Sequence, residues 1–213
     1  MRLVGIDLGG TGIKAGACDE TGRILEHKSI PTGLVDGPDA VLDRMAQLAR
    51  ELGATTRVGV GSPGLIDHAG GRVLESPNLL AMQGVPMRRE IAKRLGFAEK
   101  DVILENDANC AGFGEHWCGA GVGESDMLMI TLGTGVGGGL VLKGAMYGGP
   151  GGMAGEIGHV CIDPDGPPCG CGRNGCVEQF ASATAATKRA TAAGLPREKP
   201  GDLALLSKLA RAS

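Results

Sequence analysis

Two short stretches of this chain repeat one pattern: residues 6–16 read IDLGGTGIKAG and residues 130–140 read ITLGTGVGGGL. Each is an apolar, strand-forming run, then a glycine turn that carries a Thr, then a second run, which is the pattern of a β-hairpin. Leu-Gly enters the turn in both, and Thr-Gly lies at both tips. Such a repeat implies two related α/β halves, each offering a glycine hairpin to a shared cleft.

The rest of the chain fits around that pair. Residues 3–8, 13–19 and 23–30 read as a three-strand meander, with Thr21-Gly22 as a turn. Apolar residues at Val41, Leu42, Met45, Leu48, Ala49 and Leu52 recur at helical spacing over 39–52. Residues 57–60 form a short strand entering the turn Gly61-Ser62-Pro63-Gly64. A helix over 86–95 and a strand over 101–104 follow, the strand ending at Glu105-Asn106-Asp107, where a helix begins and runs to about Cys118. The second meander has strands at 127–132 and 139–142 with a glycine turn between them. Residues 178–193 read as helical, and 203–210 as a last helical segment. A boundary near residues 106–121 gives an N-terminal α/β domain over 1–107 and a second over 108–213.

Residues 133–138, GTGVGG, satisfy G-x-G-x-x-G, but a dinucleotide fingerprint needs a helix after the glycines and here a strand follows. What remains is a glycine turn whose successive N–H groups can surround an anion and whose missing side chains admit phosphate oxygens. Two such turns, Gly9-Gly10-Thr11 and Gly133-Thr134-Gly135, can cradle a polyphosphate without a lysine. Asp7, beside the first turn, suits Mg²⁺ held through water, and equally suits ordinary turn chemistry. Asp107 reads as a helix N-cap, as a general base, or as both. Asn106 beside it can donate to and accept from a polyol. Glu156, His159 and Glu178 extend that set.

Residues 155–178, GEIGHVCIDPDGPPCGCGRNGCVE, hold His159, Cys169, Cys171 and Cys176 among turn-forming residues. One imidazole and three thiols suit a closed tetrahedral Zn²⁺ site; the same residues also read as free thiols in a glycine-rich loop. Seven cysteines without a secretion signal point to reduced thiols in the cytoplasm. A net charge of −3 with no Lys/Arg run argues against nucleic acid or a membrane surface as partner. No apolar run is long enough to span a bilayer.

The motifs IDLGGTGIKAG, SPGLID, SPNLL, ENDANC, TLGTGVGGG, GEIGH and CGCGRNGCVEQFAS, in that order, resemble the ROK family of sugar kinases and repressors. GCVEQFASATA is most similar to its glucokinase branch. The resemblance implies an actin-like, ribonuclease H-like ATPase fold, with ATP and sugar bound between two α/β domains. It implies Asp107 as catalytic base, and places Asn78, Asn106, Asp107, Glu156, His159 and Glu178 on the sugar, with backbone at Gly64. It puts a structural Zn²⁺ on His159, Cys169, Cys171 and Cys176, and the nucleotide phosphates on 9–11 and 133–135, with Mg²⁺ at Asp7. The expected reaction is phosphorylation of glucose to glucose 6-phosphate. An N-acetylglucosamine or N-acetylmannosamine kinase is the alternative, and a non-catalytic sugar-binding fragment is the rival of a different class. Family members run well past 213 residues, so the chain reads as truncated at its C-terminus, with the second domain incomplete. Repressor members carry a winged helix-turn-helix ahead of the first hairpin, whereas here that hairpin starts at Leu3, so a DNA-binding role is not expected. The expected setting is cytoplasmic, with a hexose as partner and room for a homodimer.

Overall fold

The computed structural model describes residues 1–194. Strands β1 (Leu3–Leu8), β2 (Gly12–Cys18) and β3 (Ile24–Pro31) form the antiparallel meander. β1 buries Val4, Ile6 and Leu8 on one face and turns Gly5 and Asp7 to the other, the strict alternation of a pleated strand. Helix α1 (Pro38–Glu51) covers the apolar face with Val41, Leu42, Met45 and Leu48. Its start is set by Gly37 followed by Pro38 at the first helical position, where the missing N–H costs nothing. Leu42 and Met45 are fully buried, each contributing about 1.5–3 kcal/mol by transfer from water.

β4 (Val58–Ser62) runs parallel to β1. The next segment, to which the sequence pattern assigns no element, forms a hairpin of β5 (Leu65–Asp67) and β6 (Arg72–Glu75). Its loop is closed by Asp67, which accepts from the Gly70 N–H at 2.9 Å, and by Gly71 at φ +62°. α2 (Met87–Leu95) adds Met87, Ile91 and Ala92 to the core and ends at a left-handed Gly96. β7 (Val102–Asn106) then joins parallel to β4, completing a five-stranded sheet of order β3-β2-β1-β4-β7.

α3 (Asp107–Cys118) starts at the end of β7 and packs on both β4 and the second sheet. That sheet has three strands, β8 (Met127–Leu132), β9 (Val136–Leu142) and β10 (Ala145–Met146), in the order β10-β9-β8. β9 begins three residues earlier than the expected strand over 139–142. The glycines belong to the strand because α3 lies against it: a Cβ on Gly139 would meet Ala108 O at 2.9 Å and Gly112 Cα at 3.1 Å. The helix expected over 178–193 is broken into α4 (Glu178–Ala181) and α5 (Ala183–Ala192) at Ser182. The Ser182 hydroxyl caps α5 by accepting from the Ala185 N–H at 3.1 Å. The segment expected to be helical over 203–210 lies outside the described residues. Among the described residues, no helix is long and apolar enough to cross a membrane.

Candidate active site and metal centre

The carboxyl ends of the parallel strands β1, β4 and β7 meet at one edge, where ligands bind in open α/β sheets. Register puts Asp7, Gly61 and Glu105 in one row. Gly61 carries no side chain, so the two carboxylates flank an open strip, two strand spacings or roughly 10 Å apart along the sheet. Asp107 stands over the same strip, its Cα 3.6 Å from where a Cβ of Gly61 would lie.

At the start of α3 the cap is Asn106 and not Asp107, a correction to the expected N-cap. The Asn106 Oδ1 accepts from the Asn109 N–H at 3.1 Å, and its Nδ2 donates to Gly64 O at 3.1 Å. Among the described residues, one donor and one lone pair of its amide stay free for a ligand. Gly64 sits at φ +102°, with Glu75 O and Ser76 Cβ where a side chain would go. Asp107 is thereby released from capping. One of its oxygens accepts from the Ala108 N–H at 2.9 Å, and among the described residues no hydrogen bond holds the other. Burial raises its pKa above the ordinary value; the Ala108 N–H opposes this, and the nearby charge of Asp7 adds to it.

Glu105 was missed by the sequence reading although it stands inside ENDANC. Its Oε1 accepts from the Asn106 N–H at 2.7 Å and from Asn109 Nδ2 at 3.0 Å, while Oε2 lies 2.9 Å from His68 Nε2. It thus ties the start of α3 to the loop of the β5–β6 hairpin. Glu105 lines two clefts, one of about 570 Å³ shared with His68, Asn109 and Gly149, the other of about 280 Å³ shared with Asp7, Asp107 and Cys110. The Cys110 thiol, in the crook between Gly61 and α3, is pushed up to about 12 by the surrounding protein and then by Glu105, Asp107 and Asp7. Burial, the larger cause, opposes a charge of either sign there, while the three carboxylates oppose a further negative charge in particular.

The hairpin tips are close-set. A Cβ on Gly9 would meet Gly12 O at 2.8 Å, and one on Gly10 would meet Asn78 O at 2.9 Å. Asn78 therefore lies against the first tip with its side chain exposed. At the second tip, Glu178 Oε2 accepts from the Val136 N–H at 3.0 Å and fills the space beside Gly135. So of the expected sugar residues, Gly64, Asn106 and Asp107 come together, Glu156 and His159 come together, and Glu178 leans on the phosphate turn. Asn109 links the first two groups, its Oδ1 3.2 Å from where a Cβ of Gly155 would lie.

His159, Cys169, Cys171 and Cys176 place one ligand atom each within 4.8 Å of one another. Cys169 Sγ lies 3.5 Å from His159 Nδ1, and Cys171 Sγ lies 3.6 Å from Cys176 Sγ. Metal–sulfur bonds of about 2.3 Å in a tetrahedron require edges of roughly 3.8 Å, so these residues fit a zinc ion. Nδ1 faces the thiols, and Nε2 lies 3.8 Å from Glu156 Oε2. The loop closes only because Gly175, at φ +62°, has no side chain to strike Asp163 O.

A glycine hairpin from each of two sheets, with Asp107 at the strand-to-helix junction between them, defines an actin-like α/β fold of the ATPase type. The chain belongs to the ROK family, which it matches over residues 3–213. It is 44% identical to a glucokinase of Thermotoga maritima over 188 residues, 87% of this chain and 58% of that protein. It is 38% identical to an N-acetylmannosamine kinase of Shigella flexneri over 183 residues, 85% of this chain and 62% of that protein. The structure of a ROK family glucokinase from Streptomyces griseus, in complex with glucose and AMPPNP, superposes with a TM-score of 0.77 at 38% identity, covering 91% of this chain and 62% of that one. The chain thus spans about three fifths of the length of these relatives.

Proposed function

We propose that this chain is the catalytic part of an ATP-dependent hexose kinase that makes glucose 6-phosphate from glucose. The observation that carries the reading is Asp107: among the described residues no hydrogen bond holds its second oxygen, its pKa is raised, and it stands beside Asn106 at the junction of the two sheets. A general base works best with a pKa lifted toward the operating pH. Asp107 accepts the proton of the 6-hydroxyl as that oxygen bonds to the γ-phosphorus and the bond to the bridging oxygen of ADP breaks. Asn106, Glu156, His159 and the Gly64 backbone orient the sugar, with Asn78 and Glu178 closing it from the two tips. The N–H groups at 9–11 and 133–135 hold the phosphates, and such positioning supplies most of the catalysis in phosphoryl transfer.

Two metals belong to the reading. Asp7 would hold Mg²⁺ through water, and the ion would neutralise phosphate charge. Zinc on His159 and the three cysteines would have a structural part, fixing the loop that presents Glu156 and His159. We assign residues 1–107 and 108 onward to the two lobes, and the cytoplasm as the setting. An N-acetylmannosamine kinase is the second reading, favoured by the 38% identity to the Shigella flexneri enzyme. A coupled assay with glucose, N-acetylglucosamine and N-acetylmannosamine separates the two. Glucose should be preferred in kcat/KM, and preference for an N-acetyl sugar would move the function to the second reading.

A further inference from the structure

Thr32 lies outside the motifs above and Thr184 carries no assigned role in the one that contains it, yet each makes the same kind of contact with one glycine hairpin. Thr32 follows β3 and is fully buried. Its hydroxyl donates to Gly9 O at 2.6 Å, and its N–H donates to Thr11 O at 3.1 Å. Its own carbonyl accepts from Arg44 Nη1 of α1 at 3.0 Å, and Arg44 is paired in turn with Asp36. Thr184 lies in the first turn of α5. Its hydroxyl donates to Thr134 O at 2.7 Å, and the N–H of Ala183 beside it donates to Gly133 O at 2.8 Å. At each tip, two carbonyls are therefore held from outside by one Thr hydroxyl and one backbone amide.

We infer that Thr32 and Thr184 are positioning residues for the nucleotide phosphates. The physical reason lies in the peptide unit. A glycine turn can flip a peptide at little cost, because glycine tolerates both signs of φ. A flip that points a carbonyl at the cleft sets a negative dipole against a phosphate and withdraws an N–H from it. A hydrogen bond on the carbonyl from the far side opposes that flip. The two hairpins are anchored from unrelated parts of the fold, one from the β3 exit and α1, the other from α5. The same arrangement arising twice, at both proposed phosphate turns, ties it to what the turns share.

The inference rests on the kinase reading, and the test separates the two. Mg·ATP and glucose binding are measured on the full-length gene product carrying Thr32→Val, Thr184→Val or the corresponding Ser changes. Valine keeps the shape and loses the hydroxyl; serine keeps the hydroxyl. Each Val variant should weaken Mg·ATP binding about 3- to 10-fold, the scale of one lost hydrogen bond, with glucose affinity within about 2-fold and nucleotide binding restored by Ser. Thr184 is exposed, so Thr184→Val keeps the test open if Thr32→Val fails to fold. Unchanged nucleotide affinity in Thr184→Val, or equal loss for both ligands without rescue by Ser, overturns the inference while leaving the kinase reading in place. If the unaltered protein binds glucose but no nucleotide, the kinase reading falls, and the inference with it.

Discussion

Asp107 is held at a cost to the fold. Burial favours its neutral form, so its folded pKa lies above the ordinary value near 3.8. Its contribution to stability is full below that value and is lost as pH rises through the folded pKa. Asp107→Asn, which keeps the shape and removes the charge, should therefore raise Tm at pH 7, the gain vanishing below about pH 4. Melting curves of both forms across pH check this, and equal stability at pH 7 would contradict it. In the active protein the acid limb of the kcat profile should fall above the range of an exposed Asp, since the base must be ionised to act. Gly64 offers a second test. At φ +102° and against Glu75 O, Gly64→Ala should cost more than about 2 kcal/mol in denaturant unfolding. It should also weaken glucose binding by moving the partner of Asn106 Nδ2.

Elements that form by local rules were readable in advance. α1 follows from its apolar spacing, α3 from the strand that feeds it, and β1, β2 and β8 from short apolar runs broken by glycine turns. The misses came where a partner distant in sequence decides. Gly137 and Gly138 read as turn residues because nothing nearby indicates that Ala108 of α3 and Ile157 will lie against them. Glu105 escaped notice because its partner His68 meets it only once the hairpin folds back. Thr32 reads as an unremarkable residue after a strand, since its role depends on Gly9 across the meander. Asp107 and Asn106 were assigned to the right junction but with the cap on the wrong neighbour, because both are good capping residues and only geometry chooses. The clustering of His159, Cys169, Cys171 and Cys176 was legible because they lie within 18 residues of one another. Cys171→Ser, or removal of metal with a chelator, should free about one zinc per chain and lower glucose affinity, with elemental analysis and calorimetry as readouts. Retained sugar affinity would show that Glu156 and His159 do not need the metal. Ser182→Ala should cost about 1 kcal/mol by uncapping α5.

At the scale of the molecule, the two sheets are unequally clothed among the described residues. The five-stranded sheet has α1 and α2 on one face, whereas β8 leaves Leu128, Ile130 and Leu132 exposed at 50%, 54% and 68%. β8 is also an edge strand, and a long apolar edge invites pairing with another chain. Residues 1–213 expressed alone should accordingly bind the dye ANS and self-associate. If the gene extends past Ser213, the longer product should do neither and should gain kinase activity that residues 1–213 alone largely lack. Robust turnover by residues 1–213 would show that the nucleotide is held wholly within this chain. The central claim is that Asp107 is the base of an ATP-dependent hexose kinase, and its most direct test is transfer of the γ-phosphate to glucose in a single turnover. The full-length gene product should form glucose 6-phosphate, while Asp107→Asn should bind glucose with near-normal affinity and form almost none; near-normal transfer by Asp107→Asn would contradict the account.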